Sequence, residues 1–286
     1  MPAVASPAAA RPAPLLARAG WSALPGALHA EWTKLRTLAS TWWLLAAAAA
    51  ITAAVSAAAA AGAGCGPLGC APALTGADPA KISLTGVDVG QVVVALLAAL
   101  TVGGEYGNGM IRVTLAATPR RLVMLAAKAA VVTGWAITAG TVAVLGSVLA
   151  GRLILPGRGL SAANGYLLVS LGNGPVLRAA LGSVLYLALI ALLAVGVTTA
   201  VRDSAAGIGL VLGLLYLFPI VAAVIPDHVL ARHLVQVAPM TAGLYIQVTA
   251  GLQALPLAPW QGLGVLALWT LGALIAGAVV LRLRDA

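Results

Sequence analysis

Between Lys128 and Arg152, between Arg178 and Arg202, and between Asp203 and Asp227, the chain runs without one charged residue. A helix needs about 20 apolar residues to cross the hydrocarbon core of a bilayer, and each stretch meets that length. The 286 residues are 62% hydrophobic and only 8% charged, with a mean hydropathy of +1.04. Soluble domains carry about 25% charged residues, so this chain could not cover its own surface in water. The expected fold class is therefore an all-α polytopic membrane protein.

Residues 1–26, rich in Ala and Pro around Arg11 and Arg18, are predicted to be a disordered tail. They contain no apolar core followed by a small-residue cleavage site, so a signal peptide is not expected. Residues 27–286 form one transmembrane domain. It opens on a helix over 27–40, where Leu28, Trp32, Leu35 and Ala39 recur at helical spacing. Trp32 suits the headgroup level, and Lys34 and Arg36 suit an anionic leaflet, so this helix is expected to lie at the interface, with an amphipathic cap packed on protein as the alternative. Six spans follow, at about 41–63, 87–103, 122–150, 176–201, 205–225 and 260–281. Trp42 and Trp43 open the first. Lys128 falls in the first turns of the third, about 10 Å beyond Arg121 at ~1.5 Å per residue, and is expected to snorkel back to the interface. Gly and Pro break residues 151–175 into a loop. Residues 226–258, with Pro226, Pro239 and Pro256, are too interrupted for a span and predict two half-helices, about 228–237 and 241–251, which must be covered by protein if they enter the membrane.

Six spans place both termini on one side. Lys81, Arg152, Arg158, Arg178 and Arg232 then share the opposite side, and the other eleven of the 16 Lys and Arg residues share the side of the termini. The positive-inside bias makes that side cytoplasmic, together with the loop from Gly104 to Arg121. The net charge of +9 thus reads as orientation and lipid contact. Nucleic-acid binding is not expected, because no basic stripe interleaved with aromatics exists.

Catalytic chemistry finds few candidates. No Gly-x-x-x-x-Gly-Lys-Ser/Thr motif holds a nucleotide, and no His-Glu-x-x-His pair holds zinc. His228 and His233 are five apart and share a helical face poorly, so no metal is expected. The seven acidic residues fall at span ends or in loops, which leaves no paired intramembrane aspartates for proteolysis. The deepest ionisable groups, Asp88 and Lys128, lie within reach of an interface, so the ion-coupling group of a secondary carrier is not evident. Cys65 and Cys70, in a Gly/Pro turn on the side opposite the termini, are close enough in sequence for a structural disulfide, with two free thiols as the alternative.

The 104–121 loop stands apart. Glu105 and Tyr106 end the second span, Gly107 and Gly109 allow bends, and Pro119 precedes Arg120 and Arg121 at the head of the next helix. A membrane anchor would need only the basic residues. Met110, Ile111 and Leu115 beside them suit a docking surface, and the loop's composition leaves both readings open.

These residues resemble the membrane-spanning permease subunits of type-2 ABC exporters, in particular the actinobacterial kind. The resemblance is carried by His29-Ala-Glu-Trp-Thr-Lys-Leu-Arg-Thr-Leu-Ala-Ser-Thr-Trp-Trp43 and by Glu105-Tyr106-x-x-Gly109-x-Ile111-Arg112-x-Thr114-Leu115 with Pro119-Arg120-Arg121 and Lys128. The Arg202-Asp203-Ser204 turn adds to it, so that it covers about residues 28–284. It implies an interfacial elbow helix, six spans, a coupling helix between the second and third, and half-helices before the sixth. It also implies a permease without catalytic residues or a cofactor of its own, acting as a homodimer or heterodimer in the cytoplasmic membrane. ATP and Mg would be held by a separate ATP-binding cassette subunit. Glu105, Tyr106, Gly109, Met110, Ile111, Arg112, Leu115, Pro119, Arg120 and Arg121 would couple that partner to the spans, with Glu105 pairing with a cation such as Lys128. An ion-coupled secondary transporter and a non-transporting membrane scaffold are the alternatives; the family does not fix a substrate.

Overall fold

A computed structural model of the chain describes residues 24–66, 69–70, 77–111 and 120–283. Among the described residues, six helical segments are long and apolar enough to cross a membrane: 39–62, 79–107, 121–154, 174–201, 204–224 and 259–283. Each corresponds to an expected span, and most run a few residues longer.

Helix α1 (Leu24–Thr37) starts three residues earlier than expected, with Pro25 in its first turn, where the missing N–H does no harm. It therefore takes in residues assigned above to the tail, while residues 1–23 lie outside the described residues. Leu38 is extended and separates α1 from α2 (Ala39–Gly62). The backbones of Cys65–Gly66 and Gly69–Cys70 then pair antiparallel as a minimal hairpin, with Cys65 opposite Cys70. The expected disulfide concerns side chains outside the described residues.

The second span begins earlier than the apolar run suggested. A short helix α3 (Pro79–Leu84) precedes α4 (Val87–Gly107), and Asp78 caps α3 by accepting from the N–H groups of Ala80 and Lys81. Helix α5 (Arg121–Ile154) is the longest, and α6 (Gly174–Val201) lies near the centre. Between them, short 3₁₀ turns at Pro156–Arg158 and Ala162–Asn164 give structure to part of the expected loop. Arg202 takes a left-handed conformation (φ 65°), and Asp203 caps α7 (Ser204–Val224) through the Ala206 N–H at 2.8 Å. The tight turn expected here is thus one αL residue and one N-cap.

Helix α8 (His228–Val237) matches the first half-helix to the residue, and none of its residues is buried. The second half-helix is shorter than expected: α9 (Pro239–Leu244) tightens into a 3₁₀ turn at Tyr245–Gln247 and then leaves helical geometry. Backbone at this point needs partners from other elements. Asp78 supplies them, accepting from the N–H groups of Thr249 and Ala250 and from the Thr249 hydroxyl. Arg178 donates to the Val248 carbonyl, and Gln247 donates to Ser183 at 3.2 Å. Helix α10 (Pro259–Leu283) closes the described chain.

The core is built by α4, α5 and α6, whose most apolar windows are 56–61% buried, against 17–22% for α2, α7 and α10. Most spans show no polar outer face, because lipid is as apolar as the core and hydrophobicity cannot choose an inward side. Small residues choose it instead. Helix α6 packs most extensively on α10, where a Cβ on Gly196 would lie 2.6 Å from the backbone of Ala273 and Leu274, and one on Gly277 would lie 2.8 Å from the Gly196 carbonyl oxygen. A polar network crosses the same core. Tyr186 donates to Gln91 Oε1, Gln91 Nε2 donates to the Asp88 carbonyl at 2.9 Å, and Tyr216 donates to that same carbonyl at 2.6 Å.

Gly196→Val should separate α6 from α10 and destabilise the protein by about 1–3 kcal/mol, the usual effect of overpacking. Gly272→Ala, where an added Cβ meets nothing within 4 Å, should leave stability unchanged. Thermal unfolding of the purified protein in detergent compares the two.

Candidate functional site

Glu31, Lys34 and Leu35 lie at i, i+3 and i+4 on α1 and therefore share one face. Leu35 and Glu31 are buried by it. Thr101 and Glu105 occupy successive turns of α4. Lys128 and Trp135 lie two turns apart on α5, facing the same way. Where these three faces meet, four charges converge.

Lys128 Nζ donates to Glu31 Oε2 at 2.9 Å, to Glu105 Oε1 at 2.8 Å and to the Thr101 carbonyl at 3.5 Å. Lys34 Nζ donates to Glu31 Oε1 at 3.1 Å and also to Glu105 Oε1. Two carboxylates and two ammonium groups balance, which is the condition for burying charge at all. The Lys128 side chain is only 3% exposed and that of Glu105 5%. Lys128 thus does not snorkel: two carboxylates reach it inside the bundle, so its charge needs no route to water. Lys34 likewise turns toward α4 and α5 instead of serving the bilayer surface alone. The pairing expected between Glu105 and Lys128 is present, and it is part of a larger cluster that draws Glu31 and Lys34 in from α1.

Tryptophans fix the same junction. The Trp32 and Trp135 rings stack at 4.8 Å with an interplanar angle of 11°, and Trp42 meets Trp135 edge-on at 5.2 Å and 78°. Trp42 also donates its indole N–H to the Arg36 carbonyl at 3.0 Å. Trp32 and Trp42 therefore bind α1 and the start of α2 to α5 in addition to any headgroup role. Trp135, an isolated aromatic in the middle of an apolar run, offered no motif by which to single it out.

For Glu31, burial works to raise the pKa, but Lys128 and Lys34 outweigh it and hold the carboxyl below its ordinary 4.5. For Lys34, burial works to lower the pKa, but Glu105 and Glu31 prevail and raise it above 10.5. Both partners are therefore held in their charged forms at neutral pH.

The remaining loop residues divide. Tyr106 is half-buried, with the Arg202 guanidinium carbon 5.9 Å from its ring centroid. Gly109 has φ 67°, a left-handed conformation that favours glycine. Met110 is 46% exposed, whereas Ile111 is 5% exposed and belongs to the core. Among the described apolar loop residues, Met110 is the one that faces outward. Arg120 is exposed ahead of α5, and Arg121 donates to the Leu281 carbonyl at 2.6 Å, tying the start of α5 to the end of α10. Arg112, Leu115 and Pro119 lie outside the described residues.

A cavity of about 400 Å³ opens beside the ion cluster, between α1, the start of α2 and the end of α4. Glu31, Lys34 and Glu105 form its polar end, and Leu44, Leu97 and Leu100 line its apolar part. Among the described residues, no three of His, Cys, Asp and Glu converge as a metal-binding group. Compared with models of known protein families and with curated proteins, the chain matches none.

Lys128→Met would leave two carboxylates sharing one ammonium group. It is expected to destabilise the protein by about 3–5 kcal/mol, while Glu31→Gln combined with Lys128→Met should recover part of the loss by restoring charge balance. Thermal unfolding in detergent measures both. A pH series provides a second check. Because the Glu31 pKa is lowered on folding, its contribution is complete above about pH 4.5 and is lost as the pH falls through the lower folded value. Acid should therefore destabilise the wild-type protein more steeply than Glu31→Gln over that window.

Proposed function

We propose that this chain is the permease subunit of an ATP-driven exporter, powered by a separate ATP-binding chain that docks on the loop at 104–121. The observation that carries this reading is the position of Glu105. It is the first residue of the loop motif, and its carboxylate is bonded to Lys34 of α1 and Lys128 of α5. Force applied to the loop would pass through that carboxylate to three helices at once. Gly109 supplies a bend directly beyond α4, and Met110 presents an apolar side chain to a partner.

The positive-inside bias supports a cytoplasmic position for this end of the bundle, where an ATPase would reach it. Arg121 and Arg202 donate to the Leu281 and Val280 carbonyls, so the start of α5 and the end of α6 are bound to the end of α10. These bonds extend the cluster's connection to the spans at the same end. Substrate movement would then follow from the relative tilting of spans against this shared junction, in one protomer or between two.

An ion-coupled carrier is the second reading, and one observation favours it. Glu105 Oε2 is buried without a hydrogen-bond partner among the described residues, and a buried ionisable group is what such carriers exchange protons on. Transport by the purified chain alone, down a proton gradient and without ATP, would select this reading.

Met110→Asp tests the docking. Burying a methionine at an interface contributes about 1.5–3 kcal/mol, so the substitution should reduce copurification of the ATPase partner by about tenfold or more without impairing membrane insertion. Unchanged copurification together with unchanged transport would overturn the proposal.

A further inference from the structure

Between the start of α5 and the end of α10 runs a groove of about 250 Å³, distinct from the cavity beside the ion cluster. Leu122, Leu125, Ala126 and Ala129 form its α5 wall, and Leu274 and Ala278 stand opposite on α10. The three alanines keep the helices' side chains from closing the gap. Its volume is below the ~300–1,000 Å³ of pockets that enclose a whole small molecule, so it suits a flexible apolar chain lying along it. Both helices are long and apolar enough to cross the membrane.

Each wall runs into an arginine. Leu274, Ala278 and Arg282 lie at i, i+4 and i+8 on α10, and Ala129, Leu125 and Arg121 follow the same spacing on α5, so each set shares a face. Arg121 donates to the Leu281 carbonyl at 2.6 Å, which brings the two wall ends to one level. Arg120 stands just ahead of it, and no acidic residue occupies the first turn of α5. The side chains of Arg120 and Arg282 are exposed and meet no hydrogen-bond or ion-pair partner among the described residues. Asp203, whose neighbour Arg202 also bonds α10, is directed to the Ala206 N–H of α7. The mouth of the groove thus carries positive charge that the described residues do not neutralise, at the level where two spans end.

We propose that this groove binds one anionic phospholipid, its phosphate on Arg120 and Arg282 and the upper part of one acyl chain along Leu122, Leu125 and Leu274. Basic pockets between spans attract anionic headgroups, and here the apolar groove leads directly from the cations. A soluble anion would meet the arginines and leave the groove empty. A zwitterionic lipid would fill the groove but bring a further cation beside them. A second copy of this chain is a poor match in charge, since Glu31 and Glu105 are buried and Asp78, Asp203 and Asp227 cap helices. Binding here needs no ATPase partner, so it stands or falls apart from the exporter reading.

Titration of the full-length, delipidated protein in a non-ionic detergent with dioctanoyl phosphatidylglycerol, dioctanoyl phosphatidylcholine and glycerol 3-phosphate tests this. The glycerol lipid should bind at one per chain and at least about tenfold more tightly than the choline lipid, because each basic residue near a headgroup contributes about fivefold. Arg120→Gln and Arg282→Gln should each weaken the glycerol lipid about fivefold and leave the choline lipid unchanged. Arg36→Gln, at an exposed arginine of α1 outside the groove, should change neither. Ala278→Phe fills the groove and should weaken both lipids; if it fails to fold, the arginine variants decide. Glycerol 3-phosphate should bind at least about tenfold more weakly than the glycerol lipid, since it buries no chain. Equal affinity for the two lipids, an effect of Arg36→Gln as large as that of Arg282→Gln, lipid binding undiminished in folded Ala278→Phe, or glycerol 3-phosphate binding as tightly as the lipid would each overturn the proposal.

Discussion

The junction of α1, α4 and α5 rests on four charges that none of these helices could bury alone. Lys128 inside an apolar helix is unfavourable by several kcal/mol unless it is paired, and its partners come from residues 31 and 105, far away in the chain. Once that pairing exists, α1 cannot slide along the bundle without breaking two ion pairs, and the end of α4 cannot move independently of α5. The Trp32–Trp135 stack and the Trp42 edge contact add shape to this electrostatic constraint. The loop that follows Glu105 is thus attached to the most tightly determined point at this end of the molecule.

At the opposite end the constraint has another form. Non-helical backbone around 248–250 lies against the bundle and must be satisfied by protein. Asp78 both caps α3 and receives the Thr249 and Ala250 N–H groups, while Arg178 takes the Val248 carbonyl. One carboxylate therefore fixes the start of the second span and the segment between α9 and α10. Between the two ends, glycine and alanine contacts, as at Gly196 and Gly277, let helices approach closely where the hydrophobic effect offers no preference. The fold combines charge at one end, capping at the other, and small-residue packing between them.

Much of this architecture was legible in the residues. The six apolar runs, the tight turn at Arg202-Asp203-Ser204 and the half-helix at 228–237 follow from local rules of length, charge and capping, and they appear almost where those rules put them. The prominence of Glu105 was also legible, as a carboxylate at the end of a long apolar run and the first residue of a Gly-rich polar loop, and so was Lys128 as its candidate partner. What was read differently was depth. Lys128 and Lys34 were assigned to the interface because each charge was weighed alone, and a charge weighed alone belongs near water. Ile111, grouped with Met110 as an outward knob, turns inward for a similar reason: spacing along a loop does not say which side the bundle covers.

The sequence by itself determined that the chain spans a membrane, how many times, and along which stretches, because each of these depends on free-energy terms summed over neighbouring residues. Only the tertiary structure decided that Glu31, Lys34, Glu105 and Lys128 form one cluster, and that a cavity lies beside it. Those facts depend on pairs of residues up to 97 positions apart, and in a chain this uniformly apolar no local pattern records which helix faces which.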